Sequence, residues 1–340
     1  MKTNPSVLLG LLIIEVYTAS ALAQSTEASP IAATPDTTLP SGRAGHCLVY
    51  DEQLQMVLLL NGYQPPHQPE QSEIWGWNGE RWNLLAKNGA PSRVLGGAAY
   101  DSRRKRVVEF GGIGMKGYSE LKGDTWEWDD RAWHLMPDTS VGTRDHHAMV
   151  YDESRGVTVM YGGQNSARQF DTNTWEWNGI AWKKIVAPGP GHRVHHAMAY
   201  DAKRKRVVLF GGFGDGVDEY FGDTWEWDGT SWKQVATSGP PPRARHRMAF
   251  DAKLGKIILF GGTGVKTAPG PGFNFLGDTW LWDGRAWTEA KVSRPPARSM
   301  HAMACDAHRQ KIVLFGGGAG GRERLNNTWE WDGKEWQKMQ

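Results

Sequence analysis

From residue 43 onward, the chain repeats one pattern of apolar and polar positions about every fifty residues. Each copy starts with a stretch such as His196-Ala197-Met198-Ala199-Tyr200, in which large and small side chains alternate. Alternation at period two predicts a strand with one bulky face and one thin face, which suits sheets that interlock large against small. A continuous apolar run follows, as at 206–210, predicting a strand covered on both sides. A glycine pair closes that run. Two short aromatic stretches then flank Asn78-Gly79, Asn178-Gly179, Asp228-Gly229, Asp283-Gly284 or Asp332-Gly333, the strongest short hairpin signal; only Asp129-Asp130 lacks the Gly. Four strands per copy and six copies predict an all-β chain.

The register of the copies is fixed by residue type. An Arg-x-x-His element opens them at Arg43, Arg144, Arg193, Arg243 and Arg298, while Arg93 is followed by Gly96 where the His would stand. The glycine pairs are 111–112, 162–163, 211–212, 261–262 and 316–317, with Asn61-Gly62 the degenerate first. Each copy ends with Trp-x-Trp and a third Trp five residues on, so six copies of three account for all 18 Trp. None is left over for a special site.

This pattern resembles the kelch repeat, on the glycine pair after the second strand and the spaced aromatics of the third and fourth. The likeness runs over residues 41–340 and implies a six-bladed kelch-type β-propeller with four antiparallel strands per blade around a channel. The first copy begins at strand one and the last ends at strand four, so closure rests on blade six packing against blade one. Cys47 and Cys305 fall in first strands of those two copies, three positions apart in register and on opposite faces. That offset is roughly 10 Å at strand rise, beyond disulfide reach, and predicts two buried free thiols.

Composition adds a location and excludes some partners. Lys2, the apolar stretch 7–14 and Ala21-Leu22-Ala23 form a signal peptide over 1–23, followed by a disordered leader over 24–40. The protein is therefore expected to be secreted or periplasmic. The apolar run is too short to span a bilayer, and no mature segment could. A net charge of +2 without basic runs argues against nucleic acid. The sequence implies no cofactor and no metal, and a monomer is expected.

Up-down strand order sends the tight turns to one face and the irregular connections to the other, where function concentrates. The histidines His46, His147, His196, His246 and His301 recur in nearly every copy, which favours hydrogen bonding between blades over a metal ring. The arginines, including Arg144, Arg193 and Arg243, either brace the blades or line the channel mouth and hold anions. Two positions after each Arg the copies read Gly45, Leu95, His146, His195, Arg245 and Met300, so three consecutive blades carry a polar group there. With Asp215, Asp218 and Tyr220 from the loop of copy four, these form the candidate ligand site. Glu127, Glu176, Glu226 and Glu330 recur too regularly for a catalytic acid and read as paired blade residues.

The sequence favours a binding module for a glycan or protein ligand over an enzyme, with Tyr118, Tyr220 and Phe273 available to stack on a sugar. The alternative follows from a more distant resemblance, to the N-acetylneuraminate mutarotases. It implies a carbohydrate-active enzyme with Asp215, Asp218 or Glu219 beside Arg245 or Arg193. A galactose-oxidase-like copper site lacks its cysteine at the irregular face, and no nucleophile, phosphate-loop or zinc motif is present.

Overall fold

The computed structural model describes residues 39–64, 73–87, 90, 92–114, 120–216, 219–266, 272–320 and 324–340; the expected signal peptide and nearly all of the leader lie outside them. Among the described residues, every copy forms its own antiparallel sheet with strands in sequence order, and the six sheets make the six-bladed kelch-type propeller. Blades 1 to 6 begin at the inner strands Cys47–Asp51, Gly97–Asp101, Ala148–Asp152, Ala197–Asp201, Arg247–Asp251 and Ala302–Asp306. Blades 4 and 5 depart from expectation. Their second and third strands (Arg206–Phe213 with Tyr220–Trp227, Lys256–Gly264 with Asn274–Trp282) run past the glycine pair through a bulge. Segments read as loops are thus partly strand, and these two blades stand higher beside the channel mouth.

The core is six apolar clusters, one in each seam between neighbouring blades. In every blade but the second, the third Trp crosses its seam and donates its indole N–H to a Thr of the preceding blade, as Trp182 does to Thr125, Trp232 to Thr174, Trp287 to Thr224 and Trp336 to Thr279. The seam that closes the ring is as complete as the rest. There Trp82 donates to Thr328 at 2.9 Å, Trp77 to Glu330 at 2.8 Å, and His46 bonds the Phe315 carbonyl at 3.1 Å.

A second closed circuit surrounds the axis. Backbone N–H groups of Leu95, His146, His195, Arg245, Met300 and Gly45 each donate to the carbonyl of the equivalent residue one blade back, at 2.9–3.1 Å, and the Gly45-to-Met300 bond closes the loop. All six residues take φ between 55° and 66°, a left-handed conformation that a side chain disfavours by about 1 kcal/mol or more per residue. The mutual hydrogen bonds hold five side-chain-bearing residues in it.

The poorest seam lies between blades 1 and 2. Blade 1 has Ile74 where other blades have the Thr and Gly76 where most have Glu, so the Trp128 and Trp133 indoles of blade 2 lack a hydrogen-bond partner among the described residues. Blade 2 also lacks the His that the other five copies carry. Elsewhere that ring packs over the first glycine of the preceding pair, as His196 does over Gly162. At this one seam the glycine is Asn61 and the His is Gly96, and Asn61 hydrogen-bonds Glu109, which replaces a core Leu. Three departures from the repeat thus answer one another across one seam. Burial pushes Glu109 up to about 7.

Cys47 and Cys305 are free thiols, as expected. Cys47 packs into the seam with blade 2 and Cys305 into the seam with blade 5, so they point away from each other.

Two outcomes follow. Thr328→Val removes only the acceptor of Trp82 and should lower unfolding free energy by about 1–3 kcal/mol, the cost of a buried unpaired donor; a loss within the scatter of surface substitutions would show that the closing seam does not need the bond. Burial holds His46, His147, His246 and His301 well below the ordinary imidazole range and His196 at about 3. The unfolded chain therefore binds more protons as pH falls through about 6.5, and stability should drop steadily from there toward pH 3. Glu109, Asp51 and Glu153, all pushed up by burial, act in the opposite sense but are three groups against five imidazoles. Urea midpoints measured from pH 7 to 4 should fall monotonically; a flat profile contradicts the buried neutral imidazoles.

Candidate functional site

The repeated arginines are braces. Each donates from Nη1 to the carbonyl eighteen residues on, the first glycine of its own blade's pair: Arg144 to Gly162, Arg193 to Gly211, Arg243 to Gly261. Arg193 and Arg243 also take Asp223 and Asp278 at 2.7–3.1 Å, and Arg144 pairs with Asp171. All three are buried with these donors engaged inside the blade, which is the bracing side of the two roles that their sequence positions leave open. The buried Glu residues are likewise structural, with Glu127 held by Arg104, Glu176 by Arg155, Glu226 by Arg204 and Glu330 by Arg309. Blade 5 has lost both members together, to Leu254 and Leu281, and blade 1 to Leu54 and Gly76.

His146, His195 and Arg245 are brought together by the axial collar, because each is one of its six members. The His146 and His195 rings meet edge-on with centroids 4.0 Å apart. Arg245 lies with Cζ 4.5 Å from the centre of the Phe273 ring, and its Nη1 is 3.4 Å from Thr263 Oγ1. His195 is half-buried, and burial, reinforced by His146, Arg245 and Arg247, keeps it well below the ordinary imidazole range, hence neutral at physiological pH.

One participant escaped the sequence reading. Asp145 is fully buried with Oδ1 2.8 Å from His146 Nδ1. Equivalent positions read Ala44, Val94, Val194, Ala244 and Ser299, so a lone acid in an apolar column was a legible signal. The two groups are in close contact without the geometry of a hydrogen bond, so Asp145 places a buried carboxyl group against the His146 ring.

The loop residues fall elsewhere. Asp215 is exposed and bonds His192 Nε2 at 3.1 Å, and Tyr220 packs on Phe213 with centroids 5.1 Å apart. Neither is in hydrogen-bond, ion-pair or ring contact with the collar trio among the described contacts. Tyr220 instead lines a cleft of ≈ 470 Å³ with Asp223, Pro240 and Pro242. Asp218 and Tyr118 lie outside the described residues. His192, Asp215 and Glu219 bring metal-capable atoms within 4.8 Å of one another, a grouping the sequence reading did not assign. It is partly exposed, and Glu219 already accepts the Gly216 N–H. Among the described residues, no helix is long and apolar enough to cross a membrane.

Comparison with known proteins agrees with the fold. The KLHDC2/KLHL20/DRC7 Kelch-repeats domain matches residues 121–288, from the third strand of blade 2 through blade 5. No curated protein matches the chain. Among solved structures, the one titled "Structure of YjhT" superposes with a TM-score of 0.71 at 14% identity, covering 89% of this chain and 99% of that one. YjhT is a sialic-acid mutarotase. The preference for a binding module over an enzyme is corrected on that finding: the shared fold gives no ground for setting catalysis aside. The fold is one capable of ligand binding or of carbohydrate-related catalysis.

Proposed function

We propose that the protein is an exported carbohydrate-active enzyme of the sialic-acid mutarotase type, taking an acidic sugar at the collar. The observation that carries this reading is the meeting of Asp145, His146, His195 and Arg245 on three consecutive blades, where the other three present Gly45, Leu95 and Met300.

Interconversion of anomers needs no redox partner. A proton leaves the anomeric hydroxyl, the bond from the anomeric carbon to the ring oxygen breaks as the carbonyl forms, and the ring oxygen takes a proton. Rotation and reclosure give the other anomer. A neutral imidazole can carry that proton from one oxygen to the other, and His195 is the half-buried, neutral one. His146, with the Asp145 carboxyl group beside it, meets the His195 ring edge-on. Arg245, steadied on Phe273, offers a planar cation for the sugar carboxylate.

The test follows anomer interconversion of N-acetylneuraminate by NMR with the mature protein. Acceleration over buffer is expected, with His195→Ala losing on the order of 10²-fold or more in kcat and Arg245→Met acting mainly on KM. No acceleration by the wild-type protein would overturn the reading.

A further inference from the structure

On the turn face, four of the six seams are sealed by the same charged contact. An arginine three residues after the last Asp of the inner strand donates from Nε to that Asp at 2.7–2.8 Å: Arg104 to Asp101, Arg155 to Asp152, Arg204 to Asp201 and Arg309 to Asp306. Its guanidinium lies under the hairpin glycine of the following blade. A Cβ on Gly179, Gly229, Gly284 or Gly79 would stand only 2.6–2.8 Å from it. The seam between blades 1 and 2 breaks the contact on both sides. Leu54 stands where the arginine would be, and Asp130, at φ 69°, stands where the glycine would be.

A carboxyl group thus takes the place of a guanidinium beside Asp51. Gln53 clamps the two acids together, with its N–H on Asp51 Oδ1 at 2.9 Å and its Nε2 on Asp130 Oδ2 at 2.7 Å. The two carboxyls lie within hydrogen-bond reach of each other. Their remaining oxygens, Asp51 Oδ2 and Asp130 Oδ1, are buried and have no donor among the described residues. Blade 5 also lacks the arginine, but there the freed Asp251 Oδ2 accepts the Trp331 indole at 3.0 Å. At the same end of the seam His134 is engaged by Asp129 at 3.0 Å, and the other ionisable groups around the pair are Tyr50, Tyr100 and Glu52. None of these brings a cation between the acids.

The imbalance extends to the mouth end of the seam, where Cys47 also faces Glu109. Arg93 is 3.0 Å from Asp124 and 3.6 Å from Glu109, one cation for two acids. Blades 1 and 2 therefore set four carboxyl groups against one guanidinium. Blades 2 and 3 set three, on Asp101, Glu127 and Asp171, against the two of Arg104 and Arg144, and the next two seams repeat that ratio. Buried like charges repel, and a proton on one member of each acid pair removes the repulsion.

We propose that the seam between blades 1 and 2 is an acid-closed latch. One proton shared between Asp51 and Asp130, and one on Glu109, hold the two blades together there. Losing them loosens the seam around Trp128 and Trp133, with the collar bond between Leu95 and Gly45 kept. Burial, with Asp130 alongside, pushes Asp51 up to about 6, and burial pushes Glu109 up to about 7. Both exceed the ordinary carboxylate value of about 4, so this stabilisation is fully present below that value and is lost as pH rises through about 6–7. The latch does not depend on the mutarotase reading, since none of its groups is a collar side chain.

The test compares urea unfolding of the mature protein and three variants at pH 5 and pH 8.5 and constant ionic strength. Asp130→Asn suits the left-handed turn and offers Asp51 an amide donor, Glu109→Gln is the neutral isostere, and Leu54→Arg returns the guanidinium of the other seams. Relative to wild type, each should gain about tenfold or more in folding equilibrium constant between pH 5 and pH 8.5. At pH 8.5 the Trp128 and Trp133 indole N–H groups should exchange faster in wild type than in Asp130→Asn, while that of Trp232 is unchanged. Variant-to-wild-type ratios that are the same at both pH values would overturn the proposal. So would a wild-type pH response abolished by calcium, which would assign the acid pair to a metal ion instead of a proton.

Discussion

Around the axis, six backbone N–H groups each donate to the carbonyl of the blade before, and the sixth bond returns to the first. A circuit of this kind admits no slack. Every blade must present its collar residue at one height, in one left-handed conformation, or a bond is lost somewhere in the ring. The collar thus sets the tilt of the six inner strands, which in turn sets the seams where the tryptophans lie. It also explains why side chains can differ freely at these positions. The backbone carries the structural task, so Gly45, Leu95, His146, His195, Arg245 and Met300 are interchangeable as far as the ring is concerned. Function can vary there at little structural cost.

The seams show the same division between template and variation. Closure by packing alone, without a shared blade, might be thought the weak point of such a ring, yet blade 1 meets blade 6 with every standard bond in place. The deficit sits one seam further on. There the missing His, the glycine turned Asn61 and the buried Glu109 form a local substitute, and two indoles of blade 2 go without acceptors. Asn61 and Glu109 fill the space that a His ring fills elsewhere.

Much of this was legible in the sequence, because six copies act as an internal comparison. The strand order, the hairpins and the structural character of the tryptophans, histidines and paired glutamates all followed from recurrence. The collar positions of His146, His195 and Arg245 followed from breaks in it. Two things did not follow. The direction of a side chain is not written in a repeat, so Arg144, Arg193 and Arg243 could be read as lining the mouth when they turn inward to Gly162, Gly211 and Gly261. The significance of Asp145 required knowing that it lies against the His146 ring. It was visible as an odd residue, but only the fold says what it touches.

Hydrogen exchange of the six collar amides tests the closed circuit most directly. Gly45, Leu95, His146, His195, Arg245 and Met300 should share one slow rate, set by global unfolding, since no single bond can open while the others hold. Fast exchange at Gly45 or Met300 with the other four protected would mean that the ring is open between blades 6 and 1, and that the axial site is not built as described.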